Sequence, residues 1–256
     1  TNEKRIWYNN LNDSNTYGLE PNFGCCTANM HQGWPKFVRS LWYKDGGGIV
    51  STVFAPNELH TRLNGEELWV EERTEYPSKL EVQYHIYKAP TMPFTFRIRI
   101  PKWCRSYILT SDGMEIQHSR EGGYIKLCQR FREGQTIVIR FEAEVEFSKW
   151  YHDSIAVERG PFIFVLDMSE KWKEYKVRDS VSDYEVISDT PWNYALIRNQ
   201  TPHVEEKDTE MPFRKEEPPV IMTMKARRVK EWKEEKGSAG DIPQSPVSTN
   251  LSEEII

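Results

Sequence analysis

Apolar and polar residues alternate with a period of two through the middle of the chain. In residues 79–87, Leu80, Val82, Tyr84 and Ile86 alternate with more polar neighbours, and residues 93–101 repeat the pattern. The longest run spans residues 135–147, and its apolar positions are Ile137, Ile139, Phe141, Ala143, Val145 and Phe147. Such alternation gives each strand one apolar face. With Asn64-Gly65 and Asp112-Gly113 as hairpin turns, the pattern predicts an antiparallel meander or jelly-roll-like sandwich from about residue 48 to 147.

A helical period precedes the predicted sheet. Between Thr27 and Tyr43 apolar residues recur at steps of three and four, at Met30, Trp34, Phe37, Val38, Leu41 and Trp42. This stripe predicts an amphipathic helix. Pro35 cannot donate a backbone hydrogen bond, so the helix is expected to kink there or to start near it.

Beyond the sandwich the chain continues as shorter β-like runs. Strands are expected to continue to Met168, interrupted at Arg159-Gly160-Pro161, and a last strand is expected at Val220–Val229. Residues 205–219 are polar and proline-rich, which predicts a solvated loop. The chain therefore divides into a loop and helix at 1–46, a β-sandwich at 47–150 and a second, β-rich region at 151–256. The predicted fold class is mainly β.

Composition narrows the functional classes. The 256 residues are 38% hydrophobic, and they include 9 Trp, 12 Tyr and 11 Phe, which suit packed sheets and also sugar binding. The formal net charge is -5, and the basic residues are scattered, so no nucleic-acid partner is expected. No apolar run is long enough to predict a membrane span. Phosphate loops, HExxH and GxSxG motifs are absent from the sequence.

The four cysteines fall into two groups. Cys104 and Cys128 stand alone in strand-like segments, and we expect ordinary buried thiols rather than a bridge. Cys25 and Cys26 are adjacent, at a turn before the predicted helix. Two such thiols could bind a soft metal, form a vicinal disulfide, act as nucleophile and helper, or simply pack beneath the helix. A helix start favours the thiolate, because unpaired N–H groups there stabilise negative charge.

A longer block surrounds these cysteines. The string GLEPNFGCCTANMHQGWPKFVRSLWY, Gly18 to Tyr43, resembles glycoside hydrolase family 127, the β-L-arabinofuranosidase-like enzymes. The resemblance continues at Ala156–Leu166, Thr190–Tyr194 and Arg227–Val247, in the family's order. It therefore covers nearly the whole chain.

The resemblance implies a longer bacterial parent enzyme. That parent would have an (α/α)6 barrel followed by β-sandwich domains, and it would hydrolyse arabinofuranose-type linkages of plant glycans with retention of configuration. Residues 1–46 would then be the end of the barrel, including one leftover helix. Cys25 matches the family's nucleophile, and Cys25 and Cys26 match two ligands of a zinc ion. The implied partners are an arabinose-containing glycan and the missing upstream barrel. The family includes cytoplasmic and exported members, so the bacterial cytoplasm and the periplasm both stay open.

The sequence also departs from the family pattern. The family's other zinc ligands, a Glu and a third Cys, and its general acid/base Glu lie well upstream. Only 24 residues precede Cys25; they contain no Cys, and Glu3 and Glu20 match no family site. A retaining glycosidase needs both a nucleophile and an acid/base residue. We therefore expect the isolated chain to be inactive and to bind zinc weakly or not at all.

Two other functions compete with the enzyme fragment. One is a non-catalytic sandwich that binds glycan or braces a barrel, and the weaker one is a zinc-dependent regulator that uses Cys25 and Cys26. His31 is expected to face solvent or to be satisfied in the core, and Trp34 and Trp42 are expected to pack in the core. The candidates for stacking against a sugar are Trp69, Trp103, Trp150 and Trp192.

Overall fold

The protein is predominantly β-sheet. The computed structural model describes residues 6–9, 14–17, 29, 31–178, 181–212, 214–235 and 238–256. The longest helical segment in this part of the chain is α1, Gly33–Arg39, and a single 3₁₀ turn spans Tyr151–Asp153. The first strands are β1 Ile6–Asn9, β2 Ser14–Tyr17, β3 Trp42–Asp45, β4 Gly48–Ser51, β5 Asn57–Leu63, β6 Glu66–Thr74, β7 Glu81–Lys88, β8 Phe94–Arg99, β9 Ser106–Ser111, β10 Met114–Glu115, β11 Ser119–Glu121, β12 Tyr124–Gln129, β13 Thr136–Glu142 and β14 Val145–Lys149. The later strands are β15 Ile155–Arg159, β16 Phe162–Phe164, β17 Lys171–Arg178, β18 Val181–Ile187, β19 Tyr194–Leu196, β20 His203–Glu206, β21 Val220–Thr223, β22 Lys225–Arg228, β23 Glu234–Glu235, β24 Ser238–Ala239 and β25 Glu253–Ile255.

Residues 31–145 and 159–162 form one compact unit, which we call the sandwich unit. It contains a six-stranded sheet in the order β10-β9-β13-β7-β6-β5 and a five-stranded sheet in the order β11-β12-β8-β4-β3. Neighbouring strands in these two sheets are antiparallel, except that β4 and β8 are parallel. One hydrophobic core takes side chains from both sheets. The predicted fold class, a mainly β protein with an antiparallel sandwich, is confirmed.

The core follows from the alternation in the sequence. On β7, Val82, Tyr84 and Ile86 have no exposed surface, while their neighbours point the other way. The Tyr84 ring meets Phe96 of β8 edge-on, with ring centroids 5.0 Å apart. Burial of such large side chains supplies most of the driving force for the two sheets to pack together.

Two short turns fix the register of their hairpins. Asn64 and Gly65 join β5 to β6 with φ of 51° and 87°, and Asp112 and Gly113 join β9 to β10 with φ of 48° and 81°. Positive φ at both central residues is the type I′ geometry, whose twist matches that of the flanking strands. The two predicted hairpin turns are confirmed.

The helix is shorter than the sequence pattern predicted. α1 ends at Arg39, and Trp42 already belongs to strand β3. Pro35 lies in the first turn of α1, where a missing N–H costs little, so the helix starts near it as expected. Trp42 packs against Tyr84 and Phe96, with both centroid distances 5.8 Å, which agrees with core packing. Core packing was wrong for Trp34, which is 74% exposed.

Two long predicted strands are each divided in the structure. The run at 135–147 breaks after Glu142, and β14 leaves the six-stranded sheet to lie beside β15, so Phe147 is 45% exposed instead of buried. The run at 220–229 forms β21 and β22, which pair with different strands. The alternation of apolar and polar residues continues across both breaks. It reports that a segment is a strand and carries no information about the sheet to which that strand belongs.

The described residues within 1–30, 146–158 and 163–256 form a second compact unit. Its sheets are small; they include β1-β2-β18-β17, β19-β22-β25 and the hairpin β20-β21. Its buried hydrophobic residues include Met224, Ala226 and Val229. The boundaries proposed at 46 and 150 stay predictions. No helical segment in the described ranges has the length and apolarity of a membrane span.

Candidate functional site

The sequence-predicted catalytic pair falls outside the described residues. Cys25 and Cys26 are not among them, nor are Glu3 and Glu20. The nucleophile and zinc-ligand roles therefore stay predictions. Within the described ranges no three His, Cys, Asp or Glu side chains are grouped as metal ligands would be.

The other two cysteines differ from each other. Cys104 is buried, and its Sγ donates to the Ser106 carbonyl oxygen at 3.0 Å, while burial raises the pKa of the thiol. Cys128 is exposed and free. The prediction of a buried thiol was right for Cys104 and wrong for Cys128. On β12, Ile125 and Leu127 take the core-facing positions, so Cys128 falls on the opposite face.

Helix α1 presents an apolar surface to solvent. None of its residues is buried, and Trp34 and Val38, four residues apart on one face, are 74% and 62% exposed. Phe37 meets the Trp34 ring edge-on, with centroids 6.1 Å apart. We call Trp34, Phe37 and Val38 the α1 apolar face. His31 lies just before the helix and is exposed, which is the first of the two arrangements expected for it.

A shallow cleft of about 490 Å³ lies along β5 and β6. Its charged lining residues are Glu58, Glu71, Glu72 and Arg73. Glu71 accepts hydrogen bonds from Arg73 Nη2 at 2.6 Å and from the Tyr87 hydroxyl at 2.8 Å. Those two donors lower the pKa of Glu71, so its carboxylate is ionised at neutral pH.

Glu72, the next residue, has the opposite character. It is 1% exposed and accepts hydrogen bonds from the Ser51 hydroxyl at 3.3 Å and from the Ala55 N–H at 3.2 Å. The Tyr84 hydroxyl in turn donates to Ser51 at 2.9 Å. Burial raises the pKa of Glu72 to about 8. The group is therefore mostly protonated at neutral pH, and it joins the two sheets across the core.

A protonated and an ionised carboxyl group are the pair that a retaining glycosidase uses. Glu71 and Glu72 do not form such a pair. Consecutive residues of a strand point to opposite faces of the sheet, and here Glu71 meets Arg73 and Tyr87 outside while Glu72 meets Ser51 inside. No single substrate can lie between them. Glu71 and Glu72 therefore cannot act together on one glycosidic bond.

The sequence analysis did not single out Glu72, although a signal for it existed. Leu68 and Val70 are core-facing residues of β6, so the period of two places residue 72 on the same face. A carboxyl group at a core-facing position predicts a raised pKa.

Three rings stack side by side on the outer face of β5, β6 and β7. The centroid of Trp69 lies 4.7 Å from His60 and 4.5 Å from Tyr87, and each pair is tilted by 30°. Trp69 Nε1 donates to Glu58 at 3.1 Å. We call this set the aromatic ladder. Because both faces of the Trp69 ring are covered by neighbouring rings, the ladder stabilises the sheet and does not offer Trp69 as a platform for sugar.

The remaining tryptophan candidates are separated by their contacts. Trp103 is partly buried and meets Phe141 edge-on at 5.9 Å, and Trp192 meets Trp232 edge-on at 5.0 Å. Trp150 is 64% exposed. Of the four candidates, Trp150 is the one with a largely open ring.

The sandwich unit contains a segment that matches a known family of protein domains. Residues 48–143 match the family model of the middle domain of GH127 β-L-arabinofuranosidases. A search of curated proteins found no match.

Solved structures resemble the chain over most of its length. A GH127 β-L-arabinofuranosidase from Geobacillus stearothermophilus T6 has a TM-score of 0.61 and 18% identity, covering 91% of this chain and 33% of that one. A second GH127 β-arabinofuranosidase has a TM-score of 0.59 and 17% identity, covering 84% of this chain and 34% of that one. A glycoside hydrolase has a TM-score of 0.53 and 16% identity, covering 90% of this chain and 35% of that one. At these identities the likeness is one of fold, and the chain spans about a third of each structure. Residues 48–143 are therefore similar to the middle domain of glycoside hydrolase family 127, and the resemblance found in the sequence is confirmed.

Proposed function

We propose that the chain is part of a retaining glycoside hydrolase that acts on arabinofuranose-type linkages of plant glycans, with Cys25 as its nucleophile. The observation that carries the proposal is the family match at 48–143 together with the family-like block Gly18–Tyr43 that precedes it. The chain spans about a third of the solved GH127 structures with this fold, which agrees with its being one portion of such an enzyme.

The proposed chemistry uses a sulfur nucleophile. The Cys25 thiolate attacks the anomeric carbon and forms a carbon–sulfur bond, while the glycosidic oxygen leaves with a proton from a general acid. Water then attacks the same carbon, the carbon–sulfur bond breaks, and the released proton passes to the same carboxylate acting as base. Cys25 and Cys26 would hold a zinc ion in the longer enzyme. Zinc, when bound, keeps its sulfur ligands in the thiolate form at neutral pH.

The proposed mechanism also needs an acid/base carboxyl group and further zinc ligands. Glu71 and Glu72 face opposite sides of one strand, so they do not supply an acid/base group beside a sugar. We propose that the acid/base Glu and the remaining zinc ligands lie in an upstream helical barrel, and that the 256-residue chain alone is inactive.

Hydrolysis of an aryl β-L-arabinofuranoside tests this proposal at two lengths. The 256-residue chain should release no aglycone, and turnover that is lost in Cys25→Ser would contradict its inactivity. The polypeptide extended by its preceding coding sequence should be active, and Cys25→Ser should abolish the activity. Cys128→Ser is the matched control, because Cys128 is an exposed, free thiol. Full activity in extended Cys25→Ser, or no activity in the extended wild type, would overturn the proposed function.

A second candidate function is that of a brace for a helical barrel. The α1 apolar face favours it, since Trp34 and Val38 expose large apolar surface on one side of a helix that buries none of its residues. Exposed apolar surface of this kind marks a protein interface. Trp34→Asp with Val38→Asp should lower the melting temperature of the extended polypeptide and leave that of the 256-residue chain unchanged. Equal effects at both lengths would refute the brace.

A further inference from the structure

Trp150 is exposed, yet its orientation is fixed. The residue is 64% exposed, and its indole Nε1 donates to the Ser148 hydroxyl at 2.8 Å. The Ser148 hydroxyl in turn donates to the Glu158 carboxylate on the neighbouring strand. This chain of hydrogen bonds holds the edge of the ring and leaves its faces to solvent. A ring that is already ordered loses little conformational entropy when a ligand covers it.

The turn that follows Trp150 adopts an unusual backbone conformation. His152 and Asp153 have φ of 56° and 54°, in the left-handed region that residues with a side chain rarely occupy. Such strain persists only where surrounding contacts impose it, and it concentrates at binding and catalytic sites.

The contacts that impose this conformation come from the turn and from residues 242–245. The Trp150 N–H donates to the Ser154 carbonyl at 2.9 Å, and the Ser245 N–H donates to the His152 carbonyl at 2.8 Å. His152 Nδ1 lies 2.7 Å from the Ile242 carbonyl oxygen, and Gln244 Nε2 donates to Asp153 Oδ2 at 3.0 Å. The turn is therefore held from two sides.

A second exposed ring lies in the same turn. Tyr151 is 63% exposed and stacks on His152, with centroids 3.8 Å apart and planes 23° apart. One face of the Tyr151 ring is therefore supported by the imidazole. Trp150 and Tyr151 thus place two ordered aromatic side chains in one rigid turn.

We infer that the Trp150 turn, residues 148–153 with Gln244, is a carbohydrate-binding site. Sugar-binding surfaces combine a flat aromatic face, which covers the C–H face of a sugar ring, with a few polar groups that bind hydroxyls. Here Trp150 supplies the open face, and the side chains of Lys149, Asp153 and Gln244 supply donors and acceptors. The site does not involve Cys25, so its success or failure is independent of the proposed hydrolytic chemistry.

The charges of the turn indicate the class of glycan. Lys149 is the cation, with its Nζ 4.0 Å from Asp153 Oδ1, and Asp153 and Glu158 are the anions. The sum of these three charges is negative, which disfavours a polyuronate. The ligand is therefore a neutral pentose or hexose polymer.

Native affinity electrophoresis of the full 256-residue chain tests the site. The gels contain debranched arabinan, arabinoxylan or galactan as neutral probes, or polygalacturonate as the acidic one. At least one neutral glycan should retard the wild type, and Trp150→Ala should weaken that retardation by at least about tenfold in apparent dissociation constant. Trp172→Ala is the matched control, since Trp172 is a partly exposed tryptophan of the same unit whose ring packs against Tyr184. It should bind as the wild type does.

Two further measurements separate a binding defect from a folding defect. Far-ultraviolet circular dichroism of Trp150→Ala should match that of the wild type. Ser148→Ala keeps the indole ring but removes the hydroxyl that accepts from Trp150 Nε1, so it should weaken binding by less than Trp150→Ala does. The inference is overturned if no neutral glycan retards the wild type, if Trp150→Ala binds as well as the wild type, if Trp172→Ala loses as much, or if polygalacturonate is preferred.

Discussion

Replacing Glu72 by glutamine should stabilise the protein at neutral pH, even though the carboxyl group accepts two hydrogen bonds in the core. Glutamine has the shape of the protonated side chain. Its Oε1 can accept from the Ala55 N–H as the carboxyl group does. Its Nε2 can donate to the Ser51 hydroxyl oxygen, which reverses the direction of the Ser51 hydrogen bond, as a proton on that carboxyl oxygen also would. The variant therefore keeps the link between Ser51, Glu72 and Tyr84 and removes the titratable proton.

The magnitude follows from the difference between folded and unfolded proton affinity. Burial raises the folded pKa of Glu72 from 4.5 to about 8. Between these values the folded state retains a proton that the unfolded chain has released, so the free energy of unfolding falls as pH rises. The loss is absent below about pH 4.5, reaches about 3 kcal/mol at pH 7 and levels off at about 5 kcal/mol above pH 8. Glu72→Gln should escape this loss.

Urea unfolding of both proteins at a series of pH values is the assay. The difference in free energy of unfolding between Glu72→Gln and the wild type isolates Glu72, because all other titrating groups are shared. It should be near zero at about pH 4.5 and grow to about 3 kcal/mol at pH 7. Glu67→Gln is the matched control, since Glu67 lies on the same strand and its side chain is 68% exposed. The control should change stability by less than about 0.5 kcal/mol throughout.

Two results would refute the reasoning about Glu72. A difference that is independent of pH would mean that the group does not titrate differently in the folded and unfolded states. A difference that falls as pH rises from 4.5 to 7 would mean that the folded pKa of Glu72 lies below its ordinary value, so that the ionised carboxylate is stabilised in the core.

Three other changes probe the sandwich unit. Gly65→Ala should lower the free energy of unfolding by about 1 kcal/mol, because Gly65 has φ of 87°. Gly33→Ala at the start of α1 is the control and should leave the free energy of unfolding unchanged. Urea titration compares the two variants, and equal effects would contradict the turn assignment. Gly48→Ala should cost at least about 2 kcal/mol by the same titration, since its Cβ would lie 2.2 Å from the Thr95 carbonyl oxygen, and a loss no larger than that of Gly65→Ala would argue against such close packing of β4 on β8. Alkylation of the native protein followed by peptide mass analysis should modify Cys128 much faster than Cys104, because burial also raises the Cys104 pKa; comparable rates would show that Cys104 is not protected.

The parts of the fold that depend on local chemistry were predictable from the sequence. Asn64-Gly65 and Asp112-Gly113 indicate type I′ turns because few other residues tolerate the required φ. The core positions of β7 followed from a period of two in the sequence. The end of α1 at Arg39 could not be predicted from the sequence, because Leu41 and Trp42 continue the apolar spacing of a helix. What ends the helical pattern is packing of Trp42 against Tyr84 and Phe96, which lie far along the chain.

The candidate site was less predictable, because its side chains are set by distant partners. Glu72 is held by Ser51, 21 residues away, and the Trp150 ring is anchored through Ser148 to Glu158 on another strand. The sequence named four tryptophans for sugar stacking and could not rank them. Ranking required knowing that the faces of Trp69 are covered, that Trp103 and Trp192 pack against other rings, and that Trp150 is 64% exposed.

Among the tryptophans whose side chains the structure describes, the two most exposed require different explanations. Trp34 lies beside Phe37 and Val38, so it belongs to a group of exposed apolar side chains, as in the core of a protein interface. Trp150 follows Lys149 and precedes the turn that contains His152 and Asp153. A protein partner that covered Trp150 would exclude water from the charged side chains of Lys149 and Asp153, whereas the hydroxyl groups of a sugar could form hydrogen bonds with them. A carbohydrate leaves such groups hydrogen-bonded. Trp34→Ala should therefore leave glycan retardation unchanged, because only the ring with polar groups around it is suited to a sugar.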